Sequence, residues 1–252
     1  MIVFKKQYCK CFIVSFGMRF LFIFLLTSLS VFSQKEKPKN YKRFDERTFH
    51  FGFMLGMNKS NFIVYQNLNA FSQYGLKSLT SKATPGGQVG IVSTMKIFTP
   101  VVRLRFIPTL SFQERVLNYT YVNPDPEGKD ILSEERVGST DLDFPLMFQF
   151  RTLRYNDFAA YLLLGAQYTI DLQSQEKASQ NYLDPFIKIR RKDYQAQIGG
   201  GVEFFAPYFK FGIELKYSQG LTNSFVDDPS PPSQPIDKLY NNVVWLSFIF
   251  EG

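Results

Sequence analysis

The sequence predicts an all-β fold: an eight-stranded antiparallel transmembrane β-barrel of the outer-membrane type, following a cleaved signal peptide. Three observations predict it. The chain opens with a short basic, then apolar, then small-residue segment; apolar and polar residues alternate with period two through most of the remainder; and the connections alternate short with long.

The first segment is residues 1–33. Lys5, Lys6 and Lys10 precede an apolar stretch from Phe20 to Leu26, which fades into TSLSVFSQ with Val31 and Ser33 at the small-residue positions before a cut. That is a secretory signal peptide with Gln34 as the mature N-terminus, and its apolar core is too short for a comfortable membrane helix. Met18, followed by Arg19, is an alternative start. Both cysteines, Cys9 and Cys11, leave with this segment, so no disulfide, thiolate nucleophile or thiolate metal ligand is expected in the mature chain. No cysteine stands at the cut, so no lipoprotein signal is expected. Losing Lys5, Lys6, Lys10 and Arg19, with no acid, lowers the formal charge from +7 to +3. Such a charge gives no reason to expect a nucleic-acid partner.

Residues 34–48, QKEKPKNYKRFDERT, are charged and aperiodic, and read as a solvated periplasmic leader. Residues 49–252 form the barrel. No apolar run of 18 residues follows the signal, so no membrane helix is expected there.

Successive side chains of a strand point to opposite faces. Phe49, Phe51, Phe53, Leu55 and Met57 oppose His50, Gly52, Met54 and Gly56. Val89, Ile91, Met95 and Ile97 oppose Gln88, Gly90, Thr94 and Lys96. In VVRLRFIPTLSFQER (101–115), Leu104, Phe106, Leu110 and Phe112 oppose Arg103, Arg105, Thr109, Ser111, Gln113 and Arg115. Leu142 to Phe150, Phe158 to Ile170, Tyr194 to Phe204 and Phe209 to Tyr217 continue the pattern. Val244, Leu246, Phe248 and Phe250 close it, as a terminal strand of the kind barrel-assembly machinery reads.

Short connections are expected at Thr99-Pro100, at about 151–156 and at Ala206-Pro207, with long polar ones at 66–85, 117–138, 172–191 and 220–238. With 28 Phe and 14 Tyr, the exterior suits lipid, which is thus the expected partner. A two-residue turn at Ala206-Pro207 sets Glu203 against Lys210, and one at Thr99-Pro100 sets Lys96 against Arg103. The second pair repels, so either a bulge or nearby acids must relieve it.

Arg103 and Arg105 therefore face the lumen near the periplasmic end, and Leu104 and Phe106 face lipid, where an Arg or Lys near the midplane costs about 2–4 kcal/mol. With Lys96, Glu203 and Lys210 they make a candidate luminal charge cluster, whose plainer reading is an ion-pair filling of a narrow interior. On the sequence alone, Leu104→Arg is expected to be worse than Arg105→Leu. His50, the one histidine of the chain, has no evident Ser or acid partner, and no metal spacing is found, so neither an enzyme nor a cofactor is expected. Gly199-Gly200-Gly201 lies within a strand and reads as a bend or close contact in the wall. Trp245 suits an interfacial belt or the lumen.

FHFGFMLGMN (49–58), PGGQVGIV (85–92), LRFIPTLSF (104–112), STDLDFPLMFQF (139–150), YFKFGIELKYSQGL (208–221) and the closing LSFIF resemble, in order, the PorT family of Bacteroidetes outer-membrane barrels. The resemblance implies a component of type IX secretion and gliding motility, and the alternation of short and long connections puts it in the outer membrane with its N-terminus and short turns periplasmic. The resemblance also implies partners among the other components of that system. An eight-stranded lumen is too narrow for cargo, so the implied role is accessory, assembly or docking. The alternative is a generic small barrel that binds lipid or solute or stabilises the envelope.

Overall fold

The computed structural model describes residues 40, 43–97, 99–123, 125, 128–176 and 186–252. The expected signal peptide lies outside them, as do most of the leader, Phe98 and residues 177–185. Nine strands form one antiparallel sheet: β1 (Phe49–Gln66), β2 (Leu76–Lys96), β3 (Val102–Phe106), β4 (Thr109–Tyr121), β5 (Ile131–Arg151), β6 (Phe158–Asp171), β7 (Lys192–Phe205), β8 (Lys210–Gly220) and β9 (Ile236–Glu251). Among the described residues, two short helices accompany them, α1 (Arg43–Glu46) and α2 (Leu68–Gln73).

β3 and β4 both pair with β2 and β5, so they are halves of one stave. β1 pairs with β9 as well as with β2, which closes a ring of eight staves. Closure matters because an open edge in hydrocarbon would leave a row of backbone groups without partners. The break at Ile107-Pro108 has a simple cause, since proline has no N–H to give the ladder. Its neighbours compensate: Ile91 N donates to the Pro108 carbonyl at 3.0 Å, and the Thr109 hydroxyl to the Ile107 carbonyl at 2.7 Å. The alternation of faces runs through the break unchanged.

On β1 the outward Phe49, Phe51, Phe53, Leu55 and Met57 are 49–63 % exposed, whereas His50, Met54, Asn58 and Ser60 are buried. The outer band is bounded by rings. Phe53 stacks on Phe250 at 4.9 Å towards the short-turn end, and Tyr168 meets Tyr194 at 5.1 Å towards the long-loop end. Aromatic girdles of this kind flank the apolar band of barrels in lipid.

Two expectations are corrected. The connections placed at 66–85 and 117–138 are largely strand, since β1 ends at Gln66, β2 starts at Leu76, β4 ends at Tyr121 and β5 starts at Ile131. The reason is that polarity inverts at the edge of the band. Along β4 the outward residue changes from Phe112 to Glu114, while the inward ones change from Gln113 and Arg115 to Leu117 and Tyr119. Above the band the staves are wet outside and apolar inside, around a core that includes Phe62, Leu79, Leu117, Tyr119, Ile189 and Leu239.

The second correction is the Ala206-Pro207 turn. The central residues are Pro207 and Tyr208, with Ala206 N donating to the Phe209 carbonyl at 2.9 Å, so Phe205 pairs with Lys210 and Glu203 with Gly212. Proline is favoured at the first central position of a turn, where its fixed φ fits and its missing N–H is not needed. The Thr99-Pro100 hairpin keeps the expected register, with Lys96 opposite Arg103.

Candidate functional site

Four of the five residues assigned to the luminal cluster meet at the short-turn end: Arg103, Arg105, Glu203 and Lys210 are each 1 % exposed or less. Arg105 is the hub. Its Nη1 lies 2.7 Å from Glu214 Oε2, and its Nη2 lies 3.7 Å from both Glu203 Oε1 and Glu251 Oε1. Lys210 Nζ lies 2.8 Å from Glu203 Oε1 and also contacts Glu251, which accepts the Thr94 hydroxyl at 2.6 Å. Lys210 reaches Glu203 diagonally, because the turn correction puts the two out of direct register.

Tyr161 completes the hub. Its hydroxyl donates to Glu214 at 2.9 Å and its ring lies under the Arg105 guanidinium at 5.2 Å. The ring crosses the space above Gly201, its cross-strand partner, where an added Cβ would meet the tyrosine oxygen at 2.5 Å. The glycine run in β7 is therefore a close contact in the wall, and it lets an aromatic lie flat inside the barrel.

Lys96 departs from the expected cluster. It is half-buried at the rim and donates to the Asp45 carbonyl at 3.3 Å. No bulge separates it from Arg103; acids relieve the pair instead, with Asp45 Oδ1 3.8 Å from Arg103 Nη2.

Asp45 belongs to α1, inside the stretch expected to be solvated, and this part of that expectation is corrected. Phe44 is fully buried in the mouth. It stacks on His50 at 3.7 Å, meets Phe205 edge-on at 5.6 Å, and lies under Lys210 Nζ at 4.6 Å and Arg103 at 5.1 Å. A buried aromatic under two cations drives the docking. Asp45 then bridges to Arg151 Nη1 at 2.9 Å and Arg154 Nη1 at 3.4 Å. Partial burial pushes the Asp45 carboxyl up, but the Arg151 hydrogen bond and the charges of Arg151, Arg154 and Arg103 outweigh it and hold the group below its ordinary range. Beside it, Asn40 N donates to Asp157 at 2.8 Å, which tethers the chain just before α1.

Arg151, Glu214, Glu251 and Tyr161 were not singled out from the sequence, although face parity alone would have placed all four inside. Asp45 and Phe44 carry no such signal.

Further along the axis the filling continues. Met54, Val92, Ile107 and Ile249 form an apolar layer. Beyond it Asp143 accepts from Ser111 at 2.7 Å, Gln167 at 2.7 Å and Thr169 at 2.6 Å, while Arg115 donates to Ser139 at 3.0 Å and Gln113 at 2.6 Å. Trp245 is luminal, 2 % exposed, with Nε1 donating to Ser218 at 2.6 Å. At the long-loop end Tyr119 donates to the Pro232 carbonyl at 2.7 Å, and Ile189 bridges to Phe225, folding two connections over the apolar core. Leu246, Phe248 and Phe250, the terminal-strand residues, face outward into the band. Among the described residues, no group of three or more His, Cys, Asp or Glu is placed to hold a metal ion.

A closed antiparallel ring with an apolar, aromatic-girdled exterior and a polar, side-chain-filled interior defines an outer-membrane β-barrel protein. The family comparison agrees: residues 32–226 match the outer membrane protein beta-barrel domain family, and the chain belongs to that family. Among solved structures, the outer membrane protein OprG from Pseudomonas aeruginosa is 14 % identical, over 81 % of this chain and 92 % of its own, with a TM-score of 0.44. The N-terminal β-barrel domain of Pseudomonas aeruginosa OprF is 12 % identical, over 78 % of this chain and 96 % of its own, with a TM-score of 0.28. No curated protein matches the chain.

Proposed function

We propose that this barrel is an accessory component of type IX protein secretion, acting as an assembly or docking element and not as the conduit. The observation that carries the non-conduit part is the occupied lumen, from Phe44 and the Arg105 hub through Asp143 and Arg115 to the apolar core around Leu117. Eight staves leave room for side chains and little else. The secretion system itself is supported by the PorT-family resemblance of the strand sequences. In this reading other type IX components are its partners, the barrel-assembly machinery inserts it, and its role is non-enzymatic, with His50 shut beneath Phe44 in keeping.

The proposed orientation puts α1 and the short turns in the periplasm and the long-loop end outside. Cysteines at Lys129 and Asp227, both exposed at the long-loop end, should then label from outside intact cells, whereas one at Leu153, 77 % exposed in a short turn, should not. Labelling at Leu153→Cys alone would reverse the orientation. The role itself is tested by deleting the gene and following type IX cargo. Cargo should accumulate behind the outer membrane while general outer-membrane proteins assemble normally. Normal export would end the secretion reading and leave a small envelope-stabilising barrel in its place.

A further inference from the structure

We infer that a cleft beside the start of β7 binds the phosphate-bearing headgroup of an outer-leaflet glycolipid. The cleft has a volume of about 620 Å³ and is lined by Arg190, Arg191 and Lys192, with the hydroxyl residues Ser174 and Thr222 and the ring of Tyr194. These three cations are consecutive and share one opening, whereas three other basic groups at this end of the barrel are each held by an acid: Lys77 by Asp130 at 2.6 Å, Lys188 by Asp228 at 2.7 Å, and Arg136 by Glu114 at 3.5 Å. The side chains of Arg190, Arg191 and Lys192 are exposed and make no ion pair with a described residue.

Their backbone is nevertheless fixed. Arg190 N donates to the Ser224 carbonyl at 2.8 Å, Arg191 N donates to Glu176 Oε2 at 2.9 Å, and the Arg191 carbonyl accepts from Asp171 N at 2.8 Å. Among the described residues Glu176 is the one acid lining the cleft, and it is held by that main-chain contact, so the described lining carries an excess of positive charge. Two guanidinium forks and an ammonium on a fixed backbone suit the oxygens of a phosphate.

Depth in the membrane selects a lipid as the source. Lys192 sits opposite Ile170, and one step down the same face Tyr194 sits opposite Tyr168 in the aromatic girdle. Leu221 N donates to the Tyr194 carbonyl at 2.8 Å, and Leu172, Tyr194 and Leu221 are 52 %, 55 % and 61 % exposed. Cations directly above an aromatic and leucine surface stand at headgroup level, with acyl chains below them. A free anion would gain nothing from the apolar wall. The leaflet rests on the orientation proposed above and does not depend on the secretion role.

The test uses the purified full-length barrel in detergent, titrated with diphosphoryl lipid A, with its dephosphorylated form and with inorganic phosphate, and read by native mass spectrometry. The phosphorylated lipid should bind in preference to the dephosphorylated form, and inorganic phosphate should not displace it. Replacing Arg190, Arg191 and Lys192 together by Gln should weaken binding by roughly ten-fold or more, with the heat-modifiable gel shift showing that the barrel still folds. Arg190→Lys with Arg191→Lys should retain most of it, and Lys59→Gln with Lys82→Gln, exposed elsewhere above the band, should leave it unchanged. Equal binding by the triple variant, equal loss in the Lys59/Lys82 control, or equal binding of the dephosphorylated lipid would overturn the site. Displacement by inorganic phosphate would make free phosphate the ligand and overturn the lipid. Lipid binding together with outside labelling of Leu153→Cys alone would overturn the leaflet and the glycolipid, while the cargo assay reports separately on secretion.

Discussion

Arg105 and Leu104 are neighbours on one stave with opposite demands, and their partners decide what each substitution does. Parity alone ranks Leu104→Arg as the worse change, because it sets a charge against lipid. That penalty is about 2–4 kcal/mol at the midplane and falls towards the interface, and Leu104 lies close to the short-turn end. Arg105, by contrast, is the shared cation of Glu214, Glu203 and Glu251, all buried. Removing one partner of a buried ion pair strands the other, at about 3–5 kcal/mol. Arg105→Leu is therefore expected to be the more destabilising of the two, read as the larger fall in the urea midpoint of the refolded barrel. A fall confined to Leu104→Arg would show that the hub contributes little. The sequence made the inward placement of Arg105 readable through period two. It hid the partner, since Glu214 lies 109 positions away and meets Arg105 only through the shear of the ring.

At the scale of the element, legibility follows the strength of the periodic signal. Staves lying in the band alternate Phe or Leu against Ser, Gln or Arg and are readable. Their extensions alternate in the opposite sense, with Pro85, Gly86, Gly87 and Gly138 among them, and so resemble loops. The helix α1 has four residues and no period at all, and its docking depends on a mouth assembled by distant staves. That docking has a titratable latch. Asp45 is held below its ordinary carboxylate value, so its contribution is fully present above that value, about 4, and is lost as pH falls through the depressed one. A spin label at the exposed Glu46→Cys should be immobile at neutral pH and become mobile only below about pH 4. With Asp45→Asn it should be mobile at neutral pH too, because the bridges to Arg151 and Arg154 are gone. A label that stays immobile in both cases would mean that Phe44 alone holds the plug.

For the whole molecule, the eight-stave ring, the two occupied mouths and the layered lumen bear on one quantity, the ability to pass ions. A ring of this size has an interior that its own side chains can fill, unlike the open bore of larger porins. Here the filling is crosslinked by charge, from Asp45 through Arg151 and Glu203 to Lys210, Glu251, Arg105 and Glu214. Side chains held by several partners on different staves cannot swing aside singly. Purified protein in a planar bilayer is thus expected to show no stable open-channel steps at neutral pH, under conditions where a porin conducts. Phe44→Ala with Asp45→Asn should free the plug yet still give no lasting steps, because the Arg105 hub and the apolar layer of Met54, Val92, Ile107 and Ile249 lie beneath it. Steps in the plug variant alone would make α1 the gate of a real pore. Steps in the unaltered protein would remove the observation on which the non-conduit role rests.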